Sequence, residues 1–584
     1  MKKTNWLLLV LALVLSMFLV ACSGGDSDNA DSGDDTNTED TTSEDEGSED
    51  ADAEGDSGEE ASGDKNLAEE QVLNLLEGSQ IPTMDSSHAT DAVAFQWLGE
   101  TMEGLYRLNE DVQPEPAVAA EEPQVSEDGL EWTIKLREDA VWSNGDPVTA
   151  NDFVFAWRRA IDPETGSEYG PFMMNDVLKN ATAINNGEMG VEELGVEAVS
   201  DYELKITLEK AVPYFHSLLT FGTYYPLNEA FVTEQGADYA LTSDNLIFNG
   251  PFLLENWDPK ASESWNLTKN PDYWDAENVT LETINVNVVK ETSAAVNQYE
   301  TGGTDRAGLT AEYVEKYAGS EDYVTMPEPV LFYLKMNQDN EALANVNIRK
   351  AIQMSINKQD LVDVILNNGS VVSTGAVPSD FVSHPESGED FRSLNGDLVT
   401  TDKEKAKELW QTGLEELGTD SVTLRFLGGD SDVAKTMDEY IVDQLQSNLE
   451  GLTLEISQVP FEERIARDEA SDYDIQNSGW GPDYLDASTW LNMWMSDSPY
   501  MTMNYNSEKY DSLMQEANND LLTDLPARFD KMLEAEKQLV QEDAAIAPLY
   551  QRSRAYLWRP TVKGVIFNPM GADFTYKHAY ISAE

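Results

Sequence analysis

One cysteine in 584 residues leaves no room for an intrachain disulfide or a CxxC zinc cluster. Histidine is almost as scarce. His88, His216, His384 and His578 are the only four, and none falls in HExxH, a metal-ligand pair or a nucleophile elbow. There is no P-loop, no GxGxxG, and no repeat at a period of roughly 20–50 residues. Bases are few as well: 37 Lys and Arg face 110 Asp and Glu, a formal charge of −73. A polyanion of that size repels phosphate backbones, which argues against nucleic acid as a partner. With so many acids no catalytic carboxylate pair stands out, and no residue pattern calls for a cofactor or a metal. What is present is 41% apolar and 9% aromatic content. That suffices for a large core in several domains and excludes wholesale disorder or a fibrous chain.

The first 65 residues read as address and tether. Lys2 and Lys3 precede an apolar run from Trp6 to Val20, short of the roughly 20 residues that span a bilayer and fitting an export signal over residues 1–21. Leu19-Val20-Ala21-Cys22 resembles the bacterial lipobox, where the signal is cut before the cysteine and the thiol takes lipid. That resemblance implies a mature chain starting at Cys22 and held by acyl chains on the outer face of the cell membrane. Residues 23–66 contain no Val, Ile, Leu, Met, Phe, Tyr or Trp, and carry 18 acids from Asp26 to Asp64. Nothing there offsets the entropy of ordering, so residues 22–65 are expected to form a disordered, self-repelling acidic tether. The remainder still holds 92 acids against 34 bases, an acidic surface suited to saline or alkaline surroundings.

The rest reads as α/β. Leu130, Trp132, Ile134 and Leu136 alternate with polar residues, as do Tyr202 to Leu208 and Ile284 to Val288; these predict strands with one wet face. Thr149 and Asp152 form a capping-box start to a helix reaching about Ala160, and a second helix over about Glu404–Leu417 stops at Gly418. Between Val422 and Asp486 the pattern gives a strand over Val422–Leu427, a helix over Asp432–Leu449, a strand over Leu452–Ile456 and a third over Tyr473–Ser478. The last strand runs into Gly479-Trp480-Gly481-Pro482-Asp483-Tyr484. Ligands in open α/β sheets sit beyond the carboxyl ends of strands, and this loop offers two aromatic faces, a carboxylate and backbone kept accessible by glycine. It reads equally as a plain turn.

The block from Ser126 to Arg159, with its Trp132-Thr-Ile-Lys-Leu136 and Trp142-Ser-Asn-Gly145 runs, resembles the signature of bacterial extracellular oligopeptide-binding proteins, solute-binding protein family 5. These are the substrate-capturing subunits of ABC peptide importers. Met102–Tyr106, Asn249–Phe252, Asn347–Lys358, Ser478–Tyr484 and Ala547–Tyr550 agree with it, in order, over about residues 70–582. The lipobox and tether resemble the Gram-positive form.

The resemblance implies a periplasmic-binding-protein-like α/β fold of the cluster C type: two lobes, a hinge and an extra domain, three domains in all. By analogy the first lobe takes residues 66–105, 225–334 and 505–584, the extra domain 106–224 and the second lobe 335–504, with hinge crossings near Leu334 and Asn504. It implies a binding protein, not an enzyme, and a monomer. Short peptides would be its cargo, and the permease and ATPase subunits of a transporter its partners. Asp483 matches the family's anchor for the peptide ammonium, Trp480 and Tyr169 line side-chain pockets, Tyr505 brings a hydroxyl near the ligand and Phe461 an aromatic wall; Tyr333 is a weaker match. Two departures stand out. Asn477 replaces a basic residue found three before the tryptophan in some relatives, and Gly481 replaces a cysteine. The ligand carboxylate's partner is therefore left open, with Arg464 and Arg467 nearby in sequence. Other cargoes on the same fold (dipeptides, nickel chelates, oligosaccharides) and a surface-anchored hydrolase are the rival readings.

Overall fold

The computed structural model describes residues 66–583. The expected signal segment, the lipidation site Cys22 and the tether lie outside the described residues.

Three sheets organise the chain. In the first, Val72–Glu77 pairs in parallel with Thr283–Val288, which continues antiparallel to Ser264–Lys269 and Phe252–Glu255. Ile284 and Val286 are buried on one face. The other face is less wet than alternation suggested: Asn285 donates to Asn74 Oδ1 at 3.0 Å and accepts from Asn266 Nδ2 at 2.6 Å, a side-chain ladder across three strands.

The second sheet is antiparallel, in the order Gln124–Val125, Glu131–Lys135, Glu203–Thr207, Val196–Ser200. Ile134, Leu204 and Ile206 point inward with no exposure, as the alternation predicted. The helix Ala150–Ile161 packs near its last strand, and the Thr149 N–H donates to Asp152 Oδ2 at 2.7 Å, closing the expected capping box.

The third sheet holds the long strands. Its order is Arg306–Leu309, Ile546–Trp558, Tyr323–Met336, Ile475–Trp480, Val422–Gly429, Leu452–Val459, with Val371–Val372 also paired to Ile546–Trp558. One face packs Leu334, Met336 and Phe426 under the helices Val346–Ser355, Lys403–Leu417 and Asp432–Asn448. The opposite face packs Leu331 and Tyr333 with Trp490, Tyr510, Phe529 and Met532, residues of the helices Ser488–Leu491, Glu508–Gln515 and Leu525–Lys537. A sheet covered on both faces needs apolar residues on both. At their far ends the two long strands leave these clusters, and Ala555 and Leu557 join Ala307 and Leu309 in another. Between the clusters the ladder breaks register from Pro327 to Leu331. There the Glu328 carboxylate, 8% exposed, is held by Arg552 Nε and, at 3.0 Å, by Arg554 Nε.

Sequence and structure agree on most boundaries. The helix Lys403–Leu417 ends at Gly418 in the left-handed region at φ 70°. The third strand of the Val422–Asp486 stretch runs two residues later than predicted, Ile475–Trp480, because it pairs along Leu331–Met336. That shift keeps Gly479 and Trp480 in the strand.

The face carrying Leu525–Lys537 depends on a buried charge. Glu536, fully enclosed, accepts from Arg392 Nη1 at 2.6 Å and Nη2 at 2.8 Å, and from the Ala376 and Val377 N–H groups at 2.7 and 2.9 Å. Removing one partner of a buried pair leaves an uncompensated charge, which costs about 3–5 kcal/mol. Glu536→Ala is expected to lose stability of that order in urea unfolding; a loss under about 1 kcal/mol would contradict this account.

Candidate functional site

A cavity of about 420 Å³ opens where Ile475–Trp480 ends. Its walls come from all three regions of the fold: Asp91 and Phe95 at the start of the helix Ala92–Thr101, Tyr169 at the start of Tyr169–Met174, and Phe332, Trp480 and Asp483 from the third sheet and its loop. Gly479 lies against the Phe332 ring, where an added Cβ would come within 2.8 Å of it. Any larger residue there would have to displace the ring.

The loop after the strand is pinned at several points. Thr489, fully buried, accepts the Asp483 N–H on its Oγ1 at 2.9 Å and the Trp480 Nε1–H on its carbonyl at 3.0 Å. Asp486 takes a bidentate bond from Arg528 at 2.6 and 2.8 Å and accepts the Ser488 N–H at 2.9 Å. Asp486 therefore caps the following turn, and the Asp483 carboxylate is left for another task.

That carboxylate is the unusual group. Asp483 is 5% exposed. Its Oδ1 accepts from the Tyr169 hydroxyl at 3.3 Å, while Oδ2 accepts no hydrogen bond among the described residues. Burial pushes its acid up to about 8, with the Tyr169 and Thr489 hydroxyls pulling the other way. A buried carboxylate without a cation is unfavourable unless something else supplies one.

Aromatic rings surround it. Tyr169 lies parallel to Phe221 at 5.6 Å and nearly parallel to Trp480 at 6.4 Å, and meets Tyr500 edge-on at 5.3 Å. Phe172 packs edge-on against Trp480 and Tyr500. Such walls bury apolar surface without fixing its chemistry.

Of the residues singled out from the sequence, Asp483, Trp480, Tyr169, Phe461 and Tyr333 line this cavity. Tyr505 does not: its hydroxyl donates to Asp543 Oδ2 at 2.7 Å and its ring packs on Tyr510 in the core. Arg464 lines the cavity, donating to the Asn477 carbonyl at 3.2 Å with its guanidinium over the Phe461 ring at 5.2 Å. Arg467 is turned to Asp472 and Ser457. Asn477 donates to Asp438 at 2.8 Å. Sequence reasoning missed Phe95, Phe332, Tyr500, Lys335, Arg552 and Arg554. Glu168 was within reach, since it directly precedes Tyr169, which the resemblance had singled out.

Among the described residues no group of three or more His, Cys, Asp or Glu is placed to hold a metal ion, and no helix is long and apolar enough to cross a membrane.

Known proteins share this architecture. A solved structure of Listeria monocytogenes OppA bound to peptide is 44% identical, with a TM-score of 0.85, over 88% of this chain and 100% of that one. The substrate-binding domain of an oligopeptide ABC transporter from Bacillus anthracis is 44% identical at TM-score 0.86, covering 89% and 100%. A dipeptide-binding protein of Lactococcus lactis is 31% identical over 531 residues, 88% of this chain and 95% of that protein. Residues 113–502 match the profile of the bacterial extracellular solute-binding proteins, family 5 Middle, and the chain belongs to that family.

Proposed function

We propose that this chain captures short peptides outside the cytoplasm and passes them to the permease and ATPase of an ABC importer. The observation that carries this reading is the Asp483 carboxylate, buried in an aromatic-lined cavity with no ion pair to a cation among the described residues. A peptide's leading ammonium supplies that cation. Receptors of varied sequences hold the peptide main chain and leave roomy space for side chains, and a cavity walled mostly by rings suits that division. The peptide-bound Listeria relative supports the cargo.

The lobes follow the packing. Residues 505–545, expected with the first lobe, share their apolar faces with Leu331, Trp490 and Tyr333, so we assign them to the second. The crossing points become the register break near Pro327–Leu331 and the matching stretch of Ile546–Trp558. Rotation there opens and closes the cavity. Lipid on Cys22 holds the receptor, a monomer, to the membrane.

Mass spectrometry of the native protein taken from its own cells tests this directly. Short peptides with free amino termini are expected to be released on denaturation, and the mature chain is expected to start at an acylated Cys22. Dipeptides alone would move the cargo towards that of the Lactococcus relative. A sugar or metal chelate would overturn the reading, since neither brings an ammonium to Asp483.

A further inference from the structure

A second set of acids lines the same cavity, away from the use just given to Asp483. Glu168 comes from the segment before Tyr169, and Asp468 and Glu469 from the end of the helix Phe461–Glu469. Asp468 is compensated: Lys335 Nζ donates to its Oδ1 at 2.6 Å, and Thr502 Oγ1 donates to the same oxygen at 2.7 Å. The side-chain carboxylates of Glu168 and Glu469 make no hydrogen bond or ion pair with any described residue, although the Glu168 carbonyl accepts the Phe172 N–H at 3.2 Å. Both are pushed up, by burial first and then by neighbouring acids, Glu168 to about 7. The cations facing this region are Lys335, already engaged, and Arg464, which acts electrostatically on Asp468, Asp438 and Asp91.

An independent observation falls at the same place. Gln476 lies directly across the ladder from Lys335, lines the cavity and is 2% exposed. Its Oε1 accepts no hydrogen bond among the described residues. Two uncompensated carboxylates and an orphan amide oxygen therefore share one compartment, and all of them accept. Glu168 is half-buried and Glu469 exposed where they line the cavity, while the Gln476 amide is buried. A buried acceptor without a donor is costly in a folded protein, so the arrangement favours a donor brought from outside. A ligand group with several N–H donors and a positive charge meets every part of it.

Building on the peptide reading, we propose that this compartment binds a basic side chain of the cargo. A lysine ammonium or arginine guanidinium would be held by Glu168 and Glu469 with Gln476 Oε1 as a further acceptor. The protein thereby selects peptides that carry a base in addition to the amino terminus. A neutral side chain leaves the acids unpaired, and an acidic one adds a like charge.

The test is isothermal titration calorimetry on a tetra-alanine peptide set in which lysine, norleucine or glutamate replaces each residue in turn. At one position lysine is expected to bind about tenfold or more tighter than norleucine, as a charge-assisted bond in a half-buried site warrants, with glutamate weaker than both. In the Glu168→Gln, Glu469→Gln double variant the lysine-to-norleucine ratio is expected to fall towards one. Should that variant not fold, the same ratio in the wild type is expected to collapse between 0.05 and 1 M salt, at about the values where screening removes partly exposed pairs. A ratio near one at every position, or a ratio unmoved by the variant or the salt, overturns the proposal. Failure of every peptide to bind overturns the peptide reading itself, a distinguishable result.

Discussion

Asp483→Ala is expected to weaken binding of peptides with a free amino terminus by about 10- to 150-fold while changing N-acetylated peptides by less than about threefold. The magnitude follows from a hydrogen bond to a charged group, worth about 1.5–3 kcal/mol. The difference between the two ligands is what isolates the ammonium. Acetylation removes the positive charge and leaves the main chain and side chains in place, so a mutation that merely distorts the cavity harms both. The loop around Asp483 is fixed by other residues: Thr489 holds it from one side, and Arg528 with Asp486 from the other. Truncation of the side chain should therefore leave the fold standing. Calorimetry on matched free and acetylated peptides reads the result, and equal weakening of both would contradict the anchor.

The pH profile of binding should be a peak. In the empty cavity the Asp483 acid sits at about 8 because burial disfavours its charge. Bound to an ammonium it must be ionised, so below pH 8 binding releases a proton and affinity climbs with pH, by up to about tenfold per unit. A peptide amine has its own value of roughly 7.7–8.0 and loses its charge above it, so affinity falls again beyond about pH 8. Between pH 6 and 8 the expected net gain is on the order of 20-fold, the ionisation of Asp483 being partly offset by the amine's loss of charge, and Asp483→Asn should flatten the acid limb. The same group affects the empty protein with a fixed sign. Unfolded, its carboxyl ionises near the ordinary value of about 3.9; folded, it keeps its proton to about 8. The unfolded chain binds fewer protons across that window, so this residue costs stability as pH rises from about 4 to 8. The thermal shift given by a peptide should accordingly grow over that range. A flat binding profile, or one falling from pH 6 to 8, would contradict the assignment.

What the sequence disclosed, and what it hid, follow from the range of the interactions. Strands such as Glu203–Thr207 and the helix from Ala150 were legible because alternation and a capping pair are local patterns. Asp483 and Trp480 were legible because glycine, proline and aromatics cluster beyond a strand. Lys335, Phe332 and Arg552 were not. They stand on long strands buried on both faces, where alternation no longer separates core from cavity. Tyr505 was misplaced for a related reason: the sequence does not say whether an aromatic turns to the cavity or to the core, and here the Asp543 carboxylate and Tyr510 draw it to the core. The proposed lobe boundaries rest on Tyr323–Met336 pairing with Ile546–Trp558. No local pattern reports a ladder that joins residues so distant in the chain.

The acidity of the folded part has a partial account. Many surface acids have no basic partner, and net charge of one sign keeps a chain soluble while opposing compaction. Inside the cavity the same bias becomes specific, since among the described residues the carboxylates of Glu168, Glu469 and Asp483 each lack a paired cation.

The most direct measurement is a crystal structure of the complex with a free-amine lysine-containing peptide. The peptide's leading nitrogen is expected within about 3 Å of the Asp483 carboxylate, the separation of a charge-assisted bond, with the cavity closed over it. A complex in which that nitrogen faces solvent, or in which Asp483 touches only residues of its own chain, would contradict the account.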